Sequence, residues 1–383
     1  MFRVFRHEKR GSVTAAAAGF AAFVNIYALQ TLLPLLSEQF QASSRQVSLA
    51  VSATTLAVAL ASPLAGWLVG RLSRGTLTKL SVGGLVFCGL MVALATSLQA
   101  LILWRFGQGL FLPLLIAGVL SFLAEDFEPG QLGRATSNYV TWTIVGGFSG
   151  RWLAGFVAAH WGLKPALIAL ALANAAAGTL LLLSLKDPNK SLAGRSSPSL
   201  ACFLATLERP ELRAGYLIGF GSLFTMVGLF TYVTFHLAER FLLGPEALGR
   251  TFAVYLLGIA ITPYVGTLLQ SWGYSKTVRH TAKLAIAGLS LTLIPHLGAV
   301  LLGLALVCVA GFATQACVSS FMATLEPQTK PAACGLYLSA YYCGGCVGAA
   351  LPGFAWEAGG WPACVLLLLA IQAMVGLKSS RLA

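Results

Sequence analysis

The chain has 383 residues, of which 57% are apolar and only 10% charged, with a mean hydropathy of +0.80. A water-soluble domain carries about 25% charged residues, so this composition excludes an ordinary soluble enzyme or binding module and sets most of the surface against lipid. The net charge of +13 is scattered over short polar connections, which argues against nucleic-acid binding and makes the charge a topology signal.

In chain order, apolar spans close to the ~20 residues that cross a bilayer fall at 12–35, 46–70, 76–97, 99–123, 134–159 and 163–185. The first follows a basic start, is too long for a signal-peptide core and has no evident cleavage site, so it reads as a retained helix. A polar interval from Lys186 to Arg213 comes next, with Asp187-Pro188, the run Ser196-Ser197-Pro198-Ser199, and a stretch around Leu200 to Leu207 suited to a short surface helix. Six further spans lie at 211–238, 247–271, 277–297, 298–325, 330–357 and 360–378. Backbone groups in hydrocarbon have no water to bond, so each span is expected to be a helix. The expectation is an all-α membrane protein with twelve transmembrane helices, in units at 1–185 and 211–383 joined by a cytoplasmic linker at 186–210.

Placing both termini in the cytoplasm puts 19 of the 25 Lys and Arg residues on that side, 4 on the other and 2 inside spans. This bias predicts a multi-pass protein of the cytoplasmic (inner) membrane.

The two sets of spans are related. Gly146-Gly147-x-x-Gly150-x₄-Gly155-Phe156 returns as Gly344-Gly345-x-x-Gly348-x₄-Gly353-Phe354, an offset of 198, and Ser62-Pro63-x-x-Gly66 returns as Thr262-Pro263-x-x-Gly266, an offset of 200. A tandem duplication of this kind predicts two pseudo-symmetric six-helix bundles with a cleft between them.

Four segments carry a resemblance. Span one reads Asn25-Ile26-Tyr27-Ala28-Leu29-Gln30-Thr31-Leu32-Leu33-Pro34, and spans two and three are joined by Gly66-Trp67-Leu68-Val69-Gly70-Arg71-Leu72-Ser73-Arg74. Span four holds Arg105-Phe106-Gly107-Gln108-Gly109, and span five holds Gly146-x₃-Gly150-Arg151-Trp152-Leu153-Ala154-Gly155. Together with the six-plus-six plan these resemble the major facilitator superfamily, its drug-antiporter-like branch, and the bacterial YnfM-like permeases within it. The family motif G-x-x-x-D-R/K-x-G-R/K keeps Gly66, Arg71 and Arg74, but Gly70 and Ser73 replace its Asp and second Gly, so the family's gate lock is incomplete. Arg151 stands where the antiporter motif of span five has proline. The resemblance implies a secondary transporter working by alternating access, coupled to protons or another ion and exporting its cargo, with a cavity lined by spans one, four, five, seven, ten and eleven.

Arg105 and Arg151 lie about 9–12 Å below the outer boundary at ~1.5 Å per residue. A charge at mid-membrane costs roughly 2.5–3.5 kcal/mol on insertion scales. Each arginine therefore faces the bundle interior, either bonded to helix carbonyls or turned to a wet cavity. None of the twelve acidic residues lies mid-span. Glu38, Glu239 and Glu357 stand near outer ends and Asp126 at the inner end of span four, where they are candidates for ion coupling. Two arginines without a carboxylate favour an anionic or zwitterionic small molecule. Asn25, Tyr27, Gln30, Gln108, Tyr139, Trp142, Phe224, Tyr232, Gln315, Tyr337, Tyr341 and Tyr342 complete the expected lining. Gly146, Gly150, Gly155, Gly344 and Gly348 are expected to pack the interface of the halves and let helices slide.

No phosphate-binding loop, metal-ligand cluster or nucleophile–base pair is evident, so neither cofactor nor enzymatic reaction is expected. The expected partners are a small-molecule substrate, a coupling ion and the bilayer, with the chain acting as a monomer. Two other readings stay open: an uptake permease for an organic anion such as a siderophore or sugar acid, and a non-transporting sensor on the same fold.

Overall fold

A computed structural model describes residues 2–69, 71–126, 129–185, 200–326 and 328–382. Residues 186–199 of the linker and Gly70 lie outside the described residues, as do the side-chain surroundings of Gly66, Arg74 and Asp126.

The helices in order are α1 (Phe2–Phe23), α2 (Leu33–Phe40), α3 (Ser44–Val69), α4 (Arg74–Leu94), α5 (Leu98–Asp126), α6 (Pro129–Trp161), α7 (Leu163–Ser184) and α8 (Leu200–Glu208). The second half continues with α9 (Pro210–Phe241), α10 (Pro245–Thr251), α11 (Leu257–Ile261), α12 (Val265–Leu291), α13 (Leu297–Ala323), α14 (Lys330–Ala350) and α15 (Pro352–Lys378). They make twelve crossings in two pseudo-symmetric bundles of six. Span one is α1 plus α2, and α3 to α7 are the next five. Span seven is α9, and span eight runs through α10, α11 and the start of α12. The remainder of α12 is span nine, and α13 is span ten. Span eleven is α14 with the beginning of α15, whose remainder is span twelve. The divisions inside α12 and α15 fall at Gly273 (φ 70°) and Gly360 (φ 61°), conformations that only glycine adopts cheaply.

Local chemistry sets several boundaries. Ser43 and Gln46 form a reciprocal cap at the start of α3, with the Gln46 N–H donating to Ser43 Oγ and the Ser43 N–H to Gln46 Oε1 at 2.9 Å. Ser73 caps α4 by accepting from the Thr76 N–H. Nine runs among the described residues are long and apolar enough to cross a membrane. The 47-residue run Pro245–Leu291 covers two crossings. The glycine-rich α6 and α14, whose hydropathy is diluted by small and polar residues, complete the twelve.

The duplication is visible in the packing. Gly146 and Gly150 of α6 lie against the backbone at Phe20 and Val24, at the end of α1. Gly344 and Gly348 of α14 lie against Phe220 and Phe224 of α9 in the same way. These four glycines therefore pack inside each half, not between the halves as the sequence reading had it. Only the last glycine of each series reaches across, because the helix must first sit flush on its own bundle before its outer end can meet the other. Gly155 faces the Pro245 carbonyl, and Gly353 faces the side chain of Arg45. α3 runs along α14 for much of its length, whereas the contacts of α6 with the second half pass through α10 and fade at α11. The halves are thus sealed at the end bearing Arg45 and Pro245, and they part toward the opposite, basic end, where Arg71, Lys276 and Arg279 lie.

Candidate functional site

Span one is broken at mid-depth. α1 stops at Phe23, the chain turns through residues 24–27, and a 3-10 segment Ala28–Leu32 leads into α2. A break frees carbonyl groups that need donors inside a membrane. Arg105 of α5 supplies them. Its Nη2 donates to the Ile26 carbonyl at 2.6 Å, its Nη1 to that of Asn25 at 3.0 Å, and its Nε to that of Ala50 at 3.3 Å. The Gln108 Oε1 accepts from Nη1 at 2.7 Å, and the Gln108 amide continues to the Leu85 carbonyl. Arg105 is only 1% exposed. It ties spans one, two and four together, which is the carbonyl-anchored arrangement of the two that its sequence context allows.

Arg151 of α6 is equally buried, but it lines a cavity of about 320 Å³ between the halves. Its Nε and Nη2 both donate to Gln30 Oε1, at 3.0 and 2.8 Å, and Nη1 donates to the Gly147 carbonyl at 2.8 Å. Gln30 in turn donates to Thr231 Oγ1 of α9 at 3.0 Å, so the arginine is linked through one amide to the second half. Three rings surround the guanidinium: Tyr255 at 4.3 Å, Phe252 at 4.8 Å and Tyr27 at 5.2 Å from CZ to centroid. No carboxylate lines the cavity among the described residues. A buried cation held by an amide, a carbonyl and ring faces keeps its charge without a counter-charge, and an arriving anion would supply one.

Tyr27, Tyr139, Gln315, Tyr341 and Tyr342 line this cavity beside Arg151. The other expected lining residues stand elsewhere. Asn25 and Gln108 belong to the Arg105 cluster, and Gln30 stands behind Arg151. Phe224 is buried under Gly348, Tyr337 lies beside Tyr341 with centroids 5.9 Å apart, and Trp142 is 38% exposed and edge-on to Phe20. Tyr232 serves the seal. Its hydroxyl lies 2.9 Å from Ser48 Oγ across the divide and 3.0 Å from the Ala349 carbonyl. Sequence reasoning did not single out Phe312, Ser319 or Tyr255, all of which line the cavity. The first two were findable: with Gln315 they form a stripe at three- and four-residue spacing on α13. Tyr255 sits in an irregular 3-10 stretch, Phe252–Leu256, and carries no such signal.

The sealed end holds the rest. Arg45 Nε pairs with Glu357 Oε1 at 3.3 Å across the halves, and its guanidinium lies 4.6 Å over the Phe354 ring. Ser52 Oγ donates to the Cys346 carbonyl at 2.9 Å. Glu38 and Glu239 are exposed there, and Arg71 is exposed at the opposite, basic end.

Two pseudo-symmetric six-helix units, closed at one end and parted at the other around a central cavity, define a membrane transporter. The chain belongs to the Major Facilitator Superfamily, which its residues 15–351 match. It is 25% identical to the inner membrane transport protein YnfM of Escherichia coli over 97% of this chain and 91% of that one. It is 27% identical to the uncharacterized MFS-type transporter YybF of Bacillus subtilis, over 90% of this chain and 86% of the other. Among solved structures, the nucleoside transporter NupG superposes with a TM-score of 0.78 at 13% identity, covering 97% of this chain and 99% of its own. The resemblance to YnfM-like permeases read from the motifs is borne out, and these relatives are transporters and not enzymes.

Proposed function

We propose that this transporter carries a small organic anion or zwitterion across the cytoplasmic membrane by alternating access, exporting it in exchange for protons and acting as a monomer. The observation that carries the reading is Arg151: a buried cation on the wall of the central cavity, with no described carboxylate beside it. The bias of Lys and Arg toward one face makes that face cytoplasmic, so the parted end receives cargo from the cytoplasm. The rocking of the halves then breaks the seal at Arg45 and Glu357 and rebuilds one at the basic end. Glu38, Glu239 and Glu357 at the sealed end are the carboxylates placed to meet protons from outside. The cavity is complete within one chain, which is the support for a monomer.

Everted membrane vesicles with an acid interior test the proposal. Labelled members of an anionic compound panel should accumulate inside, and Arg151→Ala should abolish the accumulation. Accumulation only in right-side-out vesicles would make the protein an uptake permease. Undiminished transport by Arg151→Ala would remove the anion site.

A further inference from the structure

We infer that the cavity is built for a planar aromatic carboxylate bearing hydroxyl groups, an inference that rests on the anion reading above and narrows it. Rings line the cavity from both halves: Tyr27 and Tyr139 from the first, Tyr255, Phe312, Tyr341 and Tyr342 from the second. Tyr255 meets Phe312 edge to face at 5.8 Å and 83°, and Tyr341 meets Tyr342 at 5.5 Å and 87°. The two pairs therefore present both faces and edges, and a flat guest between the halves can stack on one wall while meeting the edge of another.

The polar capacity of the wall is uncommitted. The five tyrosines are each less than a tenth exposed, yet among the described residues no hydrogen bond engages their hydroxyls. None of the five is a sealed-off polar atom, so their hydroxyls stay accessible in residues that line the cavity, and a guest carrying donors and acceptors around its ring can bond them directly. Arg151 adds the charged pole. Three of its five N–H groups are used, two of them on the single neutral oxygen of Gln30. A carboxylate could take the remaining two, or displace Gln30 from its pair, and make stronger charge-assisted bonds. The cavity volume, about 320 Å³, is near the small end of ligand pockets and suits one ring with short substituents better than a polycycle.

The test titrates the purified full-length protein in detergent with four probes, read by calorimetry and thermal shift. They are 4-hydroxybenzoate, its saturated counterpart 4-hydroxycyclohexanecarboxylate, the neutral 4-hydroxybenzyl alcohol and the cation tyramine. The expected result is saturable binding of 4-hydroxybenzoate, with the saturated acid about tenfold weaker, the size of one or two ring contacts. The alcohol and the amine should not saturate. Arg151→Lys, which keeps the charge but loses the fork, should weaken 4-hydroxybenzoate by about tenfold. Equal affinity for the two acids would overturn the aromatic class and leave the anion reading standing. Alcohol or amine binding as tightly as the acid would overturn both. No binding of 4-hydroxybenzoate at millimolar concentration would overturn the aromatic-acid inference alone, since vesicle transport of other anions tests the broader reading.

Discussion

Two arginines at similar depth are held in opposite ways. Arg105 spends three hydrogen bonds on backbone carbonyls and one on Gln108. Arg105→Met would strand those carbonyls in an apolar interior at about 1–3 kcal/mol for each unmade bond. The expected loss is therefore about 3 kcal/mol or more, measured as a lower thermal denaturation temperature in detergent. Arg151→Gln loses the bonds to Gln30 and the Gly147 carbonyl, but it also relieves the desolvation cost of a buried cation that has no counter-charge, and the two effects offset each other. Its stability should stay within about 1 kcal/mol of the parent while transport of an anionic cargo disappears. A stability loss as large as that at Arg105 would show that Arg151 is also an anchor. The sequence located both residues and their depth but could not separate them, because hydropathy reports depth and not rotation. Tyr139 and Trp142 make the same point: three residues apart on one helix, one lines the cavity and the other does not. Lipid and cavity both accept aromatic rings, so composition cannot tell which side a ring takes.

Among the helices, the duplication was legible because each repeated glycine answers a geometric demand. A Cβ at Gly150 would strike the Val24 carbonyl, and one at Gly348 would strike that of Phe224. Backbone cannot step aside as a flexible side chain can, so Gly150→Ala and Gly348→Ala should each cost about 1–3 kcal/mol. Gly83, mid-helix in α4, has nothing within 4 Å of an added Cβ. Gly83→Ala should therefore be neutral or stabilise by about 0.5–1 kcal/mol through helix propensity. Thermal denaturation of the three variants side by side checks this, and equal losses at all three would deny that close helix approach explains the repeat. The break in span one was not legible. Residues 12–35 read as one continuous apolar stretch, and the chain opens there because Arg105, eighty residues away, takes the freed carbonyls. That is a tertiary cause, invisible to any local window. The irregular path of span eight was only hinted at by Pro263, since its first 3-10 segment begins eleven residues earlier.

Across the whole molecule, the sealed end must hold in one state and yield in the next, so its strength is bounded on both sides. The Arg45–Glu357 pair has side chains 39% and 38% exposed, and at that exposure it contributes about 0.2–1 kcal/mol. The buried bond of Tyr232 to Ser48 adds about 0.5–1.5 kcal/mol. Neither contact closes the molecule alone. Losing about 1 kcal/mol changes the ratio of sealed to open molecules by about fivefold, enough to read and too little to lock the cycle. Glu357→Gln is therefore expected to raise the population open at this end by about two- to fivefold, and Tyr232→Phe by a similar factor. Spin labels at Gln46 and Ala358, exposed on the two sides of the seal, report it as a longer electron–electron distance in a cysteine-free background. Arg45 and Ser48 lie one turn apart on α3, so the double variant should depart from the product of the single effects. Salt supplies the control that separates charge from packing. Raising ionic strength screens the exposed pair, so it should open the parent and Tyr232→Phe but leave Glu357→Gln unmoved. If Glu357→Gln responds to salt as the parent does, the ion pair is not part of the seal, and the closed end rests on Tyr232 and the close approach at Gly155 and Gly353.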